Sequence, residues 1–158
     1  MKTDIICVGK IKEGFFKDAV AEYSKRLSRY VDLNITEVSD ERAPENLSDA
    51  QTRIIKDKEG ERILKVLKNS FIIALDLKGK KLSSEKFAVF FRESMLSGIN
   101  RVSFIIGGSL GLSESVIKTA DLSLCFSDMT FPHQLMRVIL LEQIYRAHRI
   151  INNEPYHK

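Results

Sequence analysis

The sequence predicts an α/β domain, a mostly parallel sheet with helices on both faces. Five short apolar runs alternate with segments of helical periodicity along the 158 residues. Strands that alternate with helices at this spacing are typical of parallel sheets. Several of the runs are almost continuously apolar, which indicates strands that are covered on both faces. The sequence contains no internal repeat, low-complexity segment or linker, so we expect one domain.

The chain opens with a predicted strand and helix. Residues 4–9 (DIICVG) form a short apolar run of the buried-strand type. A helix is predicted from about Phe15 to Tyr30, because apolar residues recur there at three- and four-residue steps and so line one face. These residues are Phe16, Val20, Tyr23, Leu27 and Tyr30.

A second strand and helix follow. Residues 33–38 alternate between apolar and polar, which indicates a half-buried or edge strand. Ser48 and Gln51 form a capping-box signature and predict a helix that runs to about Lys68. Gly60 lies in the middle of this helix and weakens it by roughly 1 kcal/mol relative to Ala.

The second half of the chain alternates in the same way. Ser83 and Ser113 each precede a predicted helix as its N-cap, and Gly98 ends the first of these helices. Residues 76–81 are predicted as a loop. We expect strands at 71–75, 102–106 and 122–126, and helices at about 84–97, directly after 113, and at about 134–152.

The last helix is apolar over nearly its whole circumference near its middle, where Val138–Leu141 are four successive apolar residues. Such a helix must be buried on more than one side. A subunit interface is a reasonable way to bury it in a chain of this size. On the more polar side, Glu142 is placed to pair with Arg146 at i, i+4.

Composition indicates a globular protein without a membrane segment. Hydrophobic residues make up 44% and charged residues 29%, and no apolar run approaches the roughly eighteen residues that span a bilayer. The N-terminus lacks the features of a signal peptide, so a cytoplasmic location is expected. Cys7 and Cys125 lie in apolar runs and are predicted to be reduced core residues, and no Cys/His spacing suggests a metal site. The net charge of +4 permits a nucleic-acid partner without requiring one.

Three of the predicted strands, 71–75, 102–106 and 122–126, end in glycine-rich or polar loops. The carboxyl ends of parallel strands lie at one edge of the sheet, where α/β proteins bind ligands. Gly107, Gly108 and Gly111 would let backbone groups approach a ligand closely. Tight turns are the alternative interpretation, but the second unusual loop at 127–133 favours a site.

The pattern limits the class of ligand. There is no G-x-x-x-x-G-K-[ST] motif, and the spacing G-G-x-x-G differs from the dinucleotide pattern G-x-G-x-x-G. A nucleoside-bearing ligand held mainly by backbone groups fits better than a polyphosphate.

All three histidines lie in the last 26 residues, at His133, His148 and His157. Histidine titrates near neutrality, so a role in acid–base chemistry is possible. A helix-start residue is the alternative for His133, and for His148 we prefer an ordinary position on the helix surface. The tail 153–158 is either a frayed terminus or a nucleotide-contacting segment.

Four motifs carry a family resemblance: IIGGSxG at 105–111, FSxMTFPHQ at 126–134, EQxYRA at 142–147 and PYHK at 155–158. Together they resemble the ribosomal RNA large subunit methyltransferase H family, which belongs to the SPOUT class of knotted methyltransferases. The resemblance extends over essentially the whole chain.

The resemblance implies a homodimer that uses S-adenosylmethionine to methylate N3 of a pseudouridine in 23S rRNA of the assembled ribosome. It also implies a trefoil knot in the C-terminal half of the chain. Periodicity and composition alone would not suggest a knot, because knots are very rare among protein folds.

The resemblance also implies site residues. Tyr156 and His157 belong to a tail that is thought to complete the active site of the partner subunit. We take His157 as the candidate general base. Tyr156, Arg146 or His133 would position the pseudouridine base or stabilise its anion. The cofactor positions fall in the three loops and, with Gly108 added from the glycine pattern, are Leu75, Gly107, Gly108, Phe126, Ser127, Asp128, Met129, Thr130 and Phe131.

Two other classes of protein are compatible with the residue patterns alone. One is a non-catalytic protein that binds RNA or the ribosome and keeps an α/β shell. The other is a small flavin- or nucleotide-binding oxidoreductase. Candidate RNA-contacting residues are Lys10, Lys12, Lys78, Lys80 and Lys81, although a solvated turn also explains the last three.

Overall fold

The computed structural model describes residues 1–156 and contains a five-stranded sheet in the order β2-β1-β4-β3-β5. All four neighbouring pairs of strands are parallel. The strands are β1 Lys2–Val8, β2 Asp32–Val38, β3 Phe71–Lys81, β4 Arg101–Ile106 and β5 Leu122–Cys125. The helices are α1 Gly14–Leu27, α2 Asp49–Val66, α3 Ser84–Leu96, α4 Glu114–Thr119 and α5 His133–Ile151. The predicted α/β class is confirmed.

The two faces of the sheet bury two separate hydrophobic clusters. On one face, α1, α3 and α5 pack over the sheet through residues such as Leu27, Phe91 and Ile144. On the other face, α2 and α4 contribute Ile63 and Val116. Cys7 and Cys125 are buried and unpaired, as the sequence predicts.

The predicted caps fix the starts of three helices. Ser48 accepts the backbone N–H of Gln51 at 3.2 Å, and the Gln51 side chain accepts the N–H of Ser48, which completes the capping box. The side chains of Ser83 and Ser113 cap α3 and α4 in the same way. These contacts satisfy N–H groups that have no partner within the helix.

Gly60 has a packing role that offsets its cost to α2. A Cβ built at Gly60 would lie 2.3 Å from Oγ of Ser113, so only glycine lets α2 approach the start of α4 this closely. The contact brings the middle of α2 against the end of the 107–113 loop.

The prediction of a loop at 76–81 is wrong at its end. β3 leaves the sheet after Leu75 and pairs with β5 again at Lys80 and Lys81, so that both Leu75 and Lys80 align with Leu124. Gly79 makes the return possible, because a Cβ there would lie 2.6 Å from the backbone nitrogen of Leu124. This pairing depends on a strand more than 40 residues away in the sequence, which local patterns do not reveal.

The surface position that we prefer for His148 is also wrong. Its side chain is 3% exposed, stacks on Tyr30 with ring centroids 5.6 Å apart, and contacts Phe91 at 5.3 Å. These partners come from α1 and α3, which cover α5 from two sides. Burial lowers the pKa of His148 to about 4, so the ring is neutral at physiological pH.

The described part of the tail packs back onto the helices. Glu154 accepts a hydrogen bond from the hydroxyl of Tyr30 at 2.5 Å and pairs with Arg149 at the same distance. Residues 153–156 are therefore held by side-chain contacts and do not form a frayed end.

Candidate active site

A crevice of about 850 Å³ lies at the carboxyl edge of β3, β4 and β5. Three segments form its walls: residues 75–78, where β3 leaves its first pairing with β5, residues 106–112 at the end of β4, and residues 124–133 around the end of β5, of which Asp128 alone does not line it. The carboxyl edge is where open parallel sheets bind ligands. The loops that the sequence predicts to converge do so.

Most of the predicted cofactor residues line this crevice. Asp128 is the exception, because its carboxylate pairs with the ammonium group of Lys81 and is 84% exposed. The predicted residues that line the crevice are Leu75, Gly107, Gly108, Phe126, Ser127, Met129, Thr130 and Phe131.

The glycine loop presents backbone to the crevice. A Cβ at Gly107 would lie 2.8 Å from the carbonyl carbon of Gly111, so a side chain at 107 has no room. The N–H of Gly111 donates to the carbonyl of Gly108 at 3.1 Å, and the positive φ of Gly111 (84°) closes this turn. Backbone N–H and C=O groups therefore line the crevice without side chains in front of them.

The loop after β5 contributes apolar surface. The N–H of Met129 donates to Oγ of Ser127 at 2.9 Å and tightens the loop. Met129 is nonetheless 75% exposed, and Leu77 in the 75–78 wall is 60% exposed. Large apolar side chains at a crevice mouth favour a ligand with apolar or aromatic parts over a polyphosphate.

His133 is the one histidine of the described residues at this crevice. It is the first residue of α5, and Pro132 holds the N-cap position, so His133 is not the capping residue. Its Nε2 lies 3.5 Å from the position that a Cβ on Gly9 would take. Burial lowers the pKa of His133 below the ordinary histidine value, and the nearby Arg137 adds to this shift. The neutral imidazole can accept a proton.

A second group of predicted residues lies towards the other end of α5. Arg146 pairs with Glu142 at 2.6 Å, as the i, i+4 spacing predicts. The hydroxyl of Tyr156 donates to the same carboxylate at 3.2 Å, and the guanidinium of Arg146 lies 4.8 Å from the centroid of the Tyr156 ring. Burial, with a hydrogen bond to Tyr23, raises the pKa of Tyr156 to about 12. The phenol therefore stays protonated and can donate.

The structure does not bring these two groups together within one chain. His133 and Arg146 are 13 positions apart on α5, which is roughly 20 Å along the axis at 1.5 Å per residue. Among the described residues that line the crevice, neither Arg146 nor Tyr156 is present. His157 lies outside the described residues.

Comparison with known families identifies the fold and the class of enzyme. The model of a family described as "Predicted SPOUT methyltransferase" matches residues 1–157. The chain belongs to the SPOUT methyltransferases.

Relatives of this SPOUT methyltransferase match it over its full length. The ribosomal RNA large subunit methyltransferase H of Alkaliphilus oremlandii (strain OhILAs) is 60% identical over 159 aligned residues, covering 100% of both chains. The proteins of the same name from Carboxydothermus hydrogenoformans and Clostridium kluyveri are 60% and 58% identical over the same extent. The family resemblance is confirmed.

Three solved structures share the fold at low sequence identity. A methylase family protein from Haemophilus influenzae Rd KW20 has a TM-score of 0.53 at 12% identity, over 96% of this chain and 66% of that one. The tRNA (m1G37) methyltransferase of Aquifex aeolicus has a TM-score of 0.50 at 14% identity, over 92% and 70%. A Legionella pneumophila methyltransferase, solved with the bound cofactor SAM, has a TM-score of 0.50 at 13% identity, over 94% and 66%. At these identities the likeness supports the fold alone.

The sequence interpretation assigned no role to Arg137, a buried charge of this SPOUT methyltransferase. Arg137 is 2% exposed and lies one turn after His133. It pairs with Glu37 at 2.5 Å and donates to the carbonyls of Val8 and Gly9, so it joins α5 to the ends of β1 and β2. A lone arginine on the otherwise apolar side of α5 was the available signal.

Two further findings concern residues 1–156. No group of three or more His, Cys, Asp or Glu side chains in this part of the chain is placed to hold a metal ion. None of its helices is long and apolar enough to cross a membrane.

Proposed function

We propose that this SPOUT methyltransferase transfers a methyl group from S-adenosylmethionine to 23S rRNA, at N3 of a pseudouridine in the assembled ribosome. The observation that carries the proposal is the crevice, in which three loops offer backbone groups and apolar side chains to a nucleoside-bearing ligand. The names of the full-length relatives supply the RNA, and the SAM-bound Legionella structure supplies a precedent for the cofactor. A cytoplasmic location fits an enzyme that acts on ribosomes.

The residues of the crevice fit this cofactor. Gly107 and Gly108 leave backbone groups open to hydrogen bonds, while Leu75, Phe126 and Met129 offer apolar contact to an adenine ring and a thioether-like chain. When bound, S-adenosylmethionine supplies a methyl group that its sulfonium already activates. The protein has to orient the acceptor nitrogen and remove its proton.

The proton at N3 has to leave before the nitrogen can attack. We assign His157 as the general base that removes this proton. Tyr156, Arg146 and His133 position the pseudouridine base or stabilise its anion. The raised pKa of Tyr156 supports a donor role for its hydroxyl. The lowered pKa of His133 supports a neutral ring beside the cofactor.

A homodimer would unite the two groups of residues. Arg146 lies roughly 20 Å along α5 from His133, and Tyr156 contacts the same Glu142 as Arg146 does, so a second copy would have to bring its tail to the crevice. The outer side of α5 offers a surface for this, because Leu135, Val138 and Ile139 are only partly buried in the single chain.

One assay tests the proposal. Ribosomes that lack the modification are incubated with the protein and methyl-labelled S-adenosylmethionine, and the 23S rRNA is digested and analysed by mass spectrometry. We expect one methylated pseudouridine per ribosome and no methylation of free rRNA. Labelled product at another base, or no product at all, would contradict the proposal.

A titration with S-adenosylhomocysteine separates the two rival classes. A non-catalytic RNA-binding protein would not bind this product, and an oxidoreductase would require a flavin or nicotinamide. The match to a methyltransferase family over residues 1–157 argues against both rivals.

A further inference from the structure

A buried carboxyl group stands behind the glycine loop of the crevice. Glu59 on α2 is 5% exposed. A Cβ built on Gly108 would lie 3.0 Å from Oε2 of Glu59 and 3.3 Å from its Oε1. The carboxyl group therefore contacts the side of Gly108 that faces away from the crevice.

The neighbour of Glu59 touches the other end of the same loop. Gly60 lies against Ser113, where a Cβ would come within 2.3 Å of the serine Oγ. Two consecutive residues of α2 thus support both ends of the 107–113 segment, and a displacement of the loop would have to move against the helix.

The two oxygens of Glu59 have different surroundings. Oε1 accepts the backbone N–H of Glu41, in the loop after β2, at 2.9 Å. Arg62, one turn further along α2, contacts the same loop by donating to the carbonyl of Ser39 at 2.8 Å. Oε2 is buried and has no hydrogen-bond partner among the described residues. One oxygen holds the loop after β2, and the other faces the glycine loop.

A buried oxygen without a hydrogen-bond donor lowers the stability of the folded protein. A buried carboxylate that lacks a donor loses its hydration without compensation. The backbone N–H groups of the glycine loop can supply a donor to Oε2, because a Cβ built on Gly108 would lie only 3.0 Å from this oxygen. A small shift of this loop on ligand binding would bring such a donor to the oxygen.

We propose that Glu59 is a positioning residue for the cofactor loop: when S-adenosylmethionine binds, its free carboxylate oxygen accepts a backbone N–H of the 107–111 turn and fixes the turn against α2. The inference rests on the proposed cofactor crevice and adds a residue that does not touch the cofactor. Glu59 also ties the loop after β2 to the cofactor loop.

The test compares Glu59→Gln with Glu61→Gln, an exposed change on the same helix. In E59Q the amide oxygen keeps the hydrogen bond to Glu41, and the NH₂ group takes the place of Oε2, where it cannot accept an N–H. We expect calorimetry to show S-adenosylhomocysteine binding weakened roughly tenfold in E59Q. The melting temperature should not fall, because the change removes a buried charge. E61Q should match the wild type in both measurements.

The pH profile of binding gives a readout that a merely structural role would not move. Burial raises the pKa of Glu59, and the charges of Asp40 and Glu41 add to this shift, while the hydrogen bond from the backbone N–H of Glu41 and the charge of Arg62 on α2 oppose it. The ionised carboxylate is the better acceptor, so wild-type affinity should fall as the pH drops through this pKa. E59Q has no such group, and its affinity should depend less on pH than that of the wild type.

Two results would overturn the positioning role. One is unchanged affinity and an unchanged pH profile in E59Q. The other is a parallel fall of affinity and melting temperature with the wild-type pH profile retained. The Gly107→Val variant separately tests whether the crevice is the cofactor site. If G107V binds S-adenosylhomocysteine normally, the crevice is wrong; if G107V abolishes binding while E59Q behaves as wild type, only the role of Glu59 is wrong.

Discussion

Gly107 keeps the crevice open because glycine has no side chain. The loop folds back on itself so closely that a Cβ at 107 would lie 2.8 Å from the carbonyl carbon and 3.0 Å from the carbonyl oxygen of Gly111. Both atoms belong to the backbone, which cannot move aside as the end of a flexible side chain can. The loop must therefore open if any larger residue is placed there.

We predict that Gly107→Val abolishes S-adenosylhomocysteine binding in calorimetry. Gly14→Val is the matched control, because a Cβ at Gly14 has no neighbouring atom within 4 Å. G14V should bind as the wild type does. Wild-type affinity in a folded G107V protein would contradict the position of the cofactor crevice.

His148 illustrates a different effect at the residue scale, a histidine that is kept neutral by the fold. Its pKa is lowered by burial from 6.5 to about 4, so the unfolded chain binds a proton that the folded chain does not. The free energy of unfolding therefore decreases as the pH falls from 6.5 to 4. The shift corresponds to roughly 3 kcal/mol.

His148→Phe should remove most of this acid sensitivity. Phenylalanine keeps the ring contacts with Tyr30 and Phe91 and has no proton to gain. Urea unfolding at several pH values between 7 and 4 should give a flatter curve for H148F than for the wild type. Carboxylates that titrate in this range affect both proteins alike, so parallel curves would refute the assignment to His148.

At the scale of elements, the contact between α2 and α4 requires glycine at position 60, although helix propensity favours alanine. Alanine is a better helix former than glycine by roughly 1 kcal/mol. At position 60, however, the added Cβ would lie 2.3 Å from Oγ of Ser113, which caps α4. Two helices that each look ordinary in sequence are therefore linked by one close approach.

Gly60→Ala should destabilise the protein by roughly 1–3 kcal/mol, the usual cost of overpacking. Urea unfolding measures this difference. Glu61→Ala, an exposed change on the same helix, should stay within about 0.5 kcal/mol of the wild type. A stabilised G60A protein would show that α4 can move away at little cost.

The elements also show which features could be predicted from the sequence. Capping serines and periodic apolar residues act within a few positions, so Ser48, Ser83 and Ser113 could be assigned correctly. The return of β3 at Lys80 depends on β5, and the burial of His148 depends on α1 and α3. Such contacts join distant parts of the chain and leave no local pattern. The crevice could be predicted because two of its walls follow the ends of β4 and β5, and the third begins where the apolar run of β3 ends at Leu75.

At the scale of the whole molecule, the site residues form two groups on opposite parts of α5. One chain holds the cofactor crevice with His133, while Glu142 and Arg146 lie roughly 14 and 20 Å further along the helix, where Tyr156 contacts Glu142. The trefoil knot and the homodimer that the family resemblance implies both remain predictions. Because the two groups are separated along α5, the homodimer can be tested by measuring methylation.

Mixed dimers distinguish a site shared between two subunits from a site within one. Gly107→Val removes the cofactor crevice, and His157→Ala removes the proposed base, so each variant alone should be inactive on ribosomes. H157A should keep normal S-adenosylhomocysteine binding. If the tail acts on the partner's crevice, a dimer of one G107V and one H157A subunit has one intact site, formed by the crevice of the second subunit and the tail of the first. Unfolding and refolding the two variants together should then restore methylation, and a mixture that forms mixed dimers without activity would show that the tail serves its own chain.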